Sequence, residues 1–295
     1  MNKLLPLAGL MLLTSFALPF KAGAAVIFQD NFNGYTVPGS SINLPASSGT
    51  TGWSAATNNA VTTTKVFKDT GNIFGSGTAN QYLQINRTGT SSNFSDNVVT
   101  QQKTGLTLGL TGQASFTFIV DSSLGTSTTT GVQMRLAATT SISNASSAYG
   151  LGFTSDGLYL AAGSSFSTYT LLSALTAGQV YNLSLVYNFD STSTYTYSGG
   201  TVAAASMDVW LDTGSGYVLV GNDLLHQGGL ATGTTLETFG FINRSAASLG
   251  IFSADNVLID SVASVPEPSA AAGLSLGLAT TCFVLARRRR KNYAH

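Results

Sequence analysis

Short segments in which apolar and polar residues take turns recur along the middle of this 295-residue chain. Val132-Gln133-Met134-Arg135-Leu136 alternates in this way, as does Tyr181-Asn182-Leu183-Ser184-Leu185, which continues to Tyr187 and Phe189. Successive side chains of a strand point to opposite faces, so each segment predicts a strand with one buried face. Ser115 to Asp121, Gln81 to Asn86, Met207 to Asp212, Tyr217 to Val220 and Asn256 to Val262 add further strands. Ser155-Asp156-Gly157 and Thr213-Gly214-Ser215-Gly216 lie between such segments and predict hairpin connections. Outside the two ends no apolar stripe of helical period runs longer than about three turns. The pattern predicts an all-β body, a twisted antiparallel sandwich of two sheets. Ser122 to Thr130 and Ser191 to Gly200, rich in Ser, Thr and Gly, predict long loops within one domain.

The ends read differently. Residues 1–24 begin with Lys3, continue as an apolar stretch from Leu4 to Phe20 and close on Ala22-Gly23-Ala24. That is the pattern of a secretory signal peptide, with cleavage expected after Ala24 or Ala25. Near the other end, residues 269–286 carry no charge, long enough as a helix for one bilayer core. Arg287, Arg288, Arg289, Arg290 and Lys291 follow at once, and this basic tail predicts a cytoplasmic stop behind a single span.

Between the two ends the charge is not balanced. From Ala25 to Pro268 the basic residues are Lys65, Lys68, Arg87, Lys103, Arg135 and Arg244, against all 13 acidic residues, a net of −7. An acidic body of this kind is a poor partner for nucleic acid. The only cysteine, Cys282, lies in the apolar tail, so the body folds without disulfides and must rely on a sizeable core.

Val265-Pro266-Glu267-Pro268-Ser269, the apolar span and the basic run together resemble the PEP-CTERM sorting signal of exported bacterial proteins. The resemblance covers residues 265–295 and implies that a membrane-embedded exosortase recognises Pro266, Glu267 and Pro268. It further implies export by the general secretion machinery, at least transient residence in the inner membrane, and delivery to the cell surface or beyond. The body, residues 25–264, looks like the concanavalin A-like, laminin-G-like jelly rolls. The stretches that carry this likeness are Ile27 to Tyr35, the segment "LTAGQVYNLSLVYNFD" with "MDVWLDTGSG", and "SADNVLIDSV".

Catalytic chemistry is sparse in the body. A glycoside hydrolase needs two carboxyls about the scissile bond, yet outside the sorting motif the only glutamate is Glu237. A serine or cysteine nucleophile needs a base, and His226 is the only histidine of the body, with no Gly-x-Ser-x-Gly elbow. Asp212-Thr213-Gly214 has the letters of an aspartic-protease loop but no second copy, so it predicts a turn. The expectation is therefore a non-catalytic surface or extracellular-matrix protein without an obligatory cofactor. The alternative is a polysaccharide-active hydrolase on the same fold.

Two binding expectations accompany this. Calcium, a hard cation, suits an oxygen-rich place where the first and last strands meet, with Asp30 and Asp255 as ligands and Asn31, Asn256 or Asp260 nearby. Trp210 shares a strand face with Asp208 and Asp212, the arrangement that stacks on a sugar ring and accepts its hydroxyls, which makes extracellular polysaccharide a candidate ligand; the other reading is that a loop or a second sheet covers the ring. Trp53, Tyr195 and Tyr197 are further aromatics of that kind.

Overall fold

In the computed structural model the described residues are 25–44, 53–55, 62–89, 99–103, 105–126, 131–139, 142–243 and 250–263. The signal peptide, sorting motif, apolar span and basic tail expected from the sequence lie outside them. No helix of the described residues is long and apolar enough to cross a membrane.

The described chain is all strand and turn. It supplies β1 (Val26–Asp30), β2 (Ser41–Asn43), β3 (Trp53–Ala55), β4 (Thr62–Lys68), β5 (Gln81–Arg87) and β6 (Val99–Lys103). Then come β7 (Thr111–Val120), β8 (Val132–Ala137), β9 (Ser147–Phe153), β10 (Gly157–Ala162), β11 (Thr168–Ala174) and β12 (Val180–Asn188). β13 (Tyr195–Tyr197), β14 (Gly200–Val202), β15 (Ser206–Asp212), β16 (Tyr217–Leu225), β17 (Thr238–Asn243) and β18 (Gly250–Asp260) complete the order. The larger sheet runs β16-β15-β12-β7-β18-β5-β4-β2, with β1 also paired to β18; the smaller runs β11-β10-β9-β8-β17-β6-β3. All the pairings are antiparallel, and the two sheets form the expected sandwich.

A shared aromatic core joins the sheets. Phe116 and Phe118 of β7 meet Phe241 of β17 and Phe153 of β9 edge-on, with ring centroids 5.1 and 5.0 Å apart. Phe252 of β18 packs on Phe153 and Phe241. Burying one such ring contributes about 1.5–3 kcal/mol, and edge-to-face contacts add to it.

The period-two segments identified in the sequence all became strands, and the two hairpin connections formed. Thr154 N–H donates to Gly157 C=O between β9 and β10, and Asp212 Oδ1 accepts the N–H groups of Gly214 and Gly216 between β15 and β16. Two expectations need correction. Ser191 to Gly200 is no plain loop: it holds β13 and the start of β14, a small hairpin laid on the outer face of the larger sheet. The polar face of β8 is not open to water either. Arg135 is fully buried, with its guanidinium carbon 4.0 Å from the Phe166 ring centre and its Nε and Nη1 donating to Gln133 Oε1 and Asn144 Oδ1. The turn bearing Phe166 and the Asn144 loop cover that face.

Candidate functional site

Strand register on the outer face of the larger sheet lines side chains up in rows. Leu258, Ser115, Ser184, Trp210 and Leu219 stand side by side on β18, β7, β12, β15 and β16. Next to them runs Asp255, Thr117, Asn182, Asp212 and Tyr217. On the far side of the first row runs Asp260, Gln113, Val186 and Asp208. Four interstrand spacings of about 4.8 Å make each five-strand row about 19 Å long.

Two pieces of chain pack on this face, and the strip of sheet between them, in which Ser184 is fully buried, is the candidate trough. At one end Phe74, from the loop after β4, packs with Tyr82 and Ile119. At the other the β13–β14 hairpin places Tyr195 and Tyr197 with Val186, Val202, Ala263 and Trp210. Leu258, Ser115, Thr117, Asn182, Asp212, Tyr217 and Trp210 remain half-buried between, and Leu219 is exposed. Hydrogen bonds organise the floor: Thr117 Oγ1 donates to Asn182 Oδ1 at 2.9 Å, Asn182 Nδ2 to Asp212 Oδ2 at 3.3 Å, and Gln113 Nε2 to Ser184 Oγ at 2.8 Å.

The structure therefore splits the sugar-binding trio expected from the sequence. Asp208 is 1% exposed and both of its oxygens are engaged. Tyr197 Oη donates to Asp208 Oδ2 at 2.7 Å, and Asp223 N–H donates to Oδ1 at 2.8 Å. Trp210 Nε1 in turn donates to Tyr197 Oη at 3.0 Å. Asp208 is thus the internal post that fixes Tyr197 and, through it, the indole. Its carboxyl is held above the usual carboxylate range, chiefly by burial. Asp223, with φ 48°, sits where the β15–β16 register slips, and the irregularity turns its N–H toward Asp208. Only Trp210 and Asp212 of the trio face the trough with part of their surface open. The hairpin that completes this group was missed in the sequence, where Tyr195-Thr196-Tyr197 was its one signal.

β1 pairs with β18 and sets Asp30 opposite Val257, two residues from Asp255 and near enough for its charge to act on that carboxyl. Their surroundings differ from an open ligand cradle. Asp30 accepts from Phe32 N–H at 2.7 Å and from Trp53 Nε1 at 2.6 Å, and Asp255 accepts from Asn80 Nδ2 and Asn256 N–H. Burial raises both carboxyls, and Asp255 is raised further by the charges of Asp69 and Asp30. Among the described residues no group of three or more His, Cys, Asp or Glu side chains is arranged to hold a metal. Trp53 is buried at 5% exposure, stacked on Phe32 and edge-on to Phe28, so it is a core residue and no sugar platform. His226 packs its ring on Phe189. Glu237 is exposed on the strand-to-strand connection beside Leu106 and Ala137, away from Trp210.

No family model and no curated protein matches the chain. Solved structures do. The catalytic domain of a glycoside hydrolase family 131 protein from Coprinopsis cinerea superposes with TM-score 0.47 at 13% identity, over 79% of this chain and 93% of that one. A carbohydrate esterase from the Shiga toxin-encoding bacteriophage phi24B gives 0.45 at 12%, over 82% and 100%. The cellulose-induced protein Cip1 gives 0.43 at 12%, over 80% and 97%. The expectation of a non-catalytic body is corrected on this finding, since an esterase and a glycoside hydrolase catalytic domain are among the structures that this sandwich resembles.

Proposed function

We propose that the chain is an exported, polysaccharide-active protein that lays a glycan across the strands of its larger sheet. The observation that carries this is the alignment of half-buried hydroxyl, amide and carboxylate groups across neighbouring strands, with the Trp210 indole fixed beside them. A sugar chain offers the matching chemistry, with apolar ring faces for the indole and hydroxyls for Ser115, Thr117, Asn182 and Asp212. Asp212 is the carboxylate within the trough and the group to test for turnover.

Export is part of the same reading: a cleaved signal peptide, one C-terminal span, and sorting by exosortase through Pro266, Glu267 and Pro268.

The test uses the full-length protein secreted from a host that carries the sorting machinery. Retention on a panel of polysaccharides and release of reducing ends or acyl groups are measured for parent, Trp210→Ala and Asp212→Asn. Retention weakened about tenfold or more by Trp210→Ala is expected, in line with the 1–3 kcal/mol of one aromatic contact in a pocket. Neither retention nor product on any polymer, or an unchanged Trp210→Ala variant, overturns the reading. Sorting is proposed to cut the chain near Pro266-Glu267-Pro268, so mass spectrometry of the same material reads the tail, and a chain still carrying Arg287 to Lys291 contradicts that processing. A cation at Asp30 and Asp255 would compensate two carboxylates that burial makes costly, so a fall in melting temperature on chelation is the sign of calcium there.

A further inference from the structure

Asp260, the last residue of β18, is 5% exposed, and its Oδ1 is buried without a hydrogen-bond partner. Burial pushes its carboxyl above the usual range. Its strand neighbours are Val26 of β1 and Gln113 of β7, and no lysine or arginine occurs in β1, β7 or β18. A carboxylate buried in this way is costly unless a cation or strong donors meet it.

The chain just before β1 supplies a place for one. The ladder continues a residue beyond β1, and the Ala25 carbonyl accepts from Ser261 N–H at 3.1 Å and from Ser261 Oγ at 3.2 Å. Ala25 is thereby tied to the residue that follows Asp260, and its nitrogen stands one residue from the Val26–Asp260 pair. In the precursor that nitrogen is a neutral amide. Hydrolysis of the Ala24–Ala25 bond gives Ala24 the water's hydroxyl as a carboxylate, and leaves Ala25 a free amine that takes up a proton.

We propose that the signal peptide is cut between Ala24 and Ala25, and that the α-ammonium so formed pairs with the buried carboxylate of Asp260. The alternative cut, after Ala25, removes the carbonyl to which Ser261 donates twice. Processing then completes the fold: a carboxylate whose Oδ1 is buried without a partner gains one in the mature protein, at the joint where the first and last strands meet. The inference rests on the secretory reading of residues 1–24, and its failure is distinguishable from the failure of that reading.

The full-length chain is produced in a secreting host and its amino terminus read by mass spectrometry. A terminus at Ala25 is expected; an uncut chain overturns the secretory reading, and a terminus at Val26 overturns this one. A second full-length variant carries Gly-Ser inserted after Ala24, which displaces the new ammonium by two residues. Its secreted form is expected to melt about 5 °C lower than the parent, the scale of a partly buried ion pair lost from a domain of this size. In an Asp260→Asn background the same insertion is expected to change nothing, and an equal fall in both backgrounds, or none in the parent, refutes the pairing. Should Asp260→Asn fail to fold, NMR titration of the parent's Ala25 amine decides: a pKa above the ordinary 7.7–8.0 of an α-amino group supports the pair, and one within or below that range refutes it.

Discussion

Replacing Asp30 with alanine is expected to lower the melting temperature by roughly 10 °C or more. The carboxylate sits at the end of β1, where the chain leaves the sheet for a turn that must carry Phe32 at φ 57°, a left-handed backbone that a bulky residue adopts only under constraint. The constraint is visible: Asp30 Oδ1 accepts Phe32 N–H two residues on, and Oδ2 accepts the Trp53 indole N–H at 2.6 Å. Trp53 and Phe32 are both buried, so without the carboxylate their N–H groups are stranded in an apolar corner. Each orphaned donor costs about 1–3 kcal/mol and the ladder around it loosens, for about 3–5 kcal/mol in all. For a domain of this size a kilocalorie moves the midpoint by roughly 2–4 °C. Asp30→Asn keeps one acceptor oxygen and should lose less. Calorimetry of parent and both variants decides it, and an alanine variant melting within about two degrees of the parent shows that the carboxylate does not hold the turn.

The strands were legible and much of the candidate site was not, for one physical reason. A strand announces itself by alternation along the chain, a local signal. What covers its outer face is set by chain far away in sequence. Trp210, Asp208 and Asp212 read correctly as one face of β15, but nothing near them tells that Tyr197 reaches over to take Asp208 inside and leave Trp210 half open. The covering segment, Ser191 to Gly200, carries a loop composition and folds as a hairpin because Val186 and Ala263 give its tyrosines an apolar bed. Arg135 fails in the same way: alternation placed it on the polar face of β8, and the Phe166 turn buried that face. Asp30 and Asp255 were legible as neighbours because first and last strands meet in sandwiches of this kind, while Asn80 and the indole of Trp53 that engage them come from segments with no pattern to read.

The second large effect concerns pH. Asp30, Asp208 and Asp255 all have carboxyls raised by burial, and Asp255 and Asp208 are raised further by neighbouring carboxylates. In the unfolded chain each titrates near 3.9. Between that value and its raised folded value the native state binds more protons than the unfolded one, so stability falls as pH rises through the window and levels off above it. The three groups act in the same direction, and each tenfold gain in proton affinity on folding is worth about 1.4 kcal/mol. The protein is therefore expected to melt higher near pH 4.5 than at pH 7.5, the reverse of a domain held by salt-bridged carboxylates. Asp260 is left out because pairing with the Ala25 ammonium would reverse its sign. Asp208→Asn provides the internal check. The amide oxygen can still accept Asp223 N–H, and its NH2 can donate to Tyr197 Oη, which reverses its own role. The variant should keep the fold, hold its melting temperature at pH 7.5 and show a smaller rise on acidification. A parent whose melting temperature drops steadily from pH 7.5 to 4.5 shows that these buried carboxyls are ionised in the native state at no net cost, and that the donors around Asp30, Asp208 and Asp255 outweigh their burial.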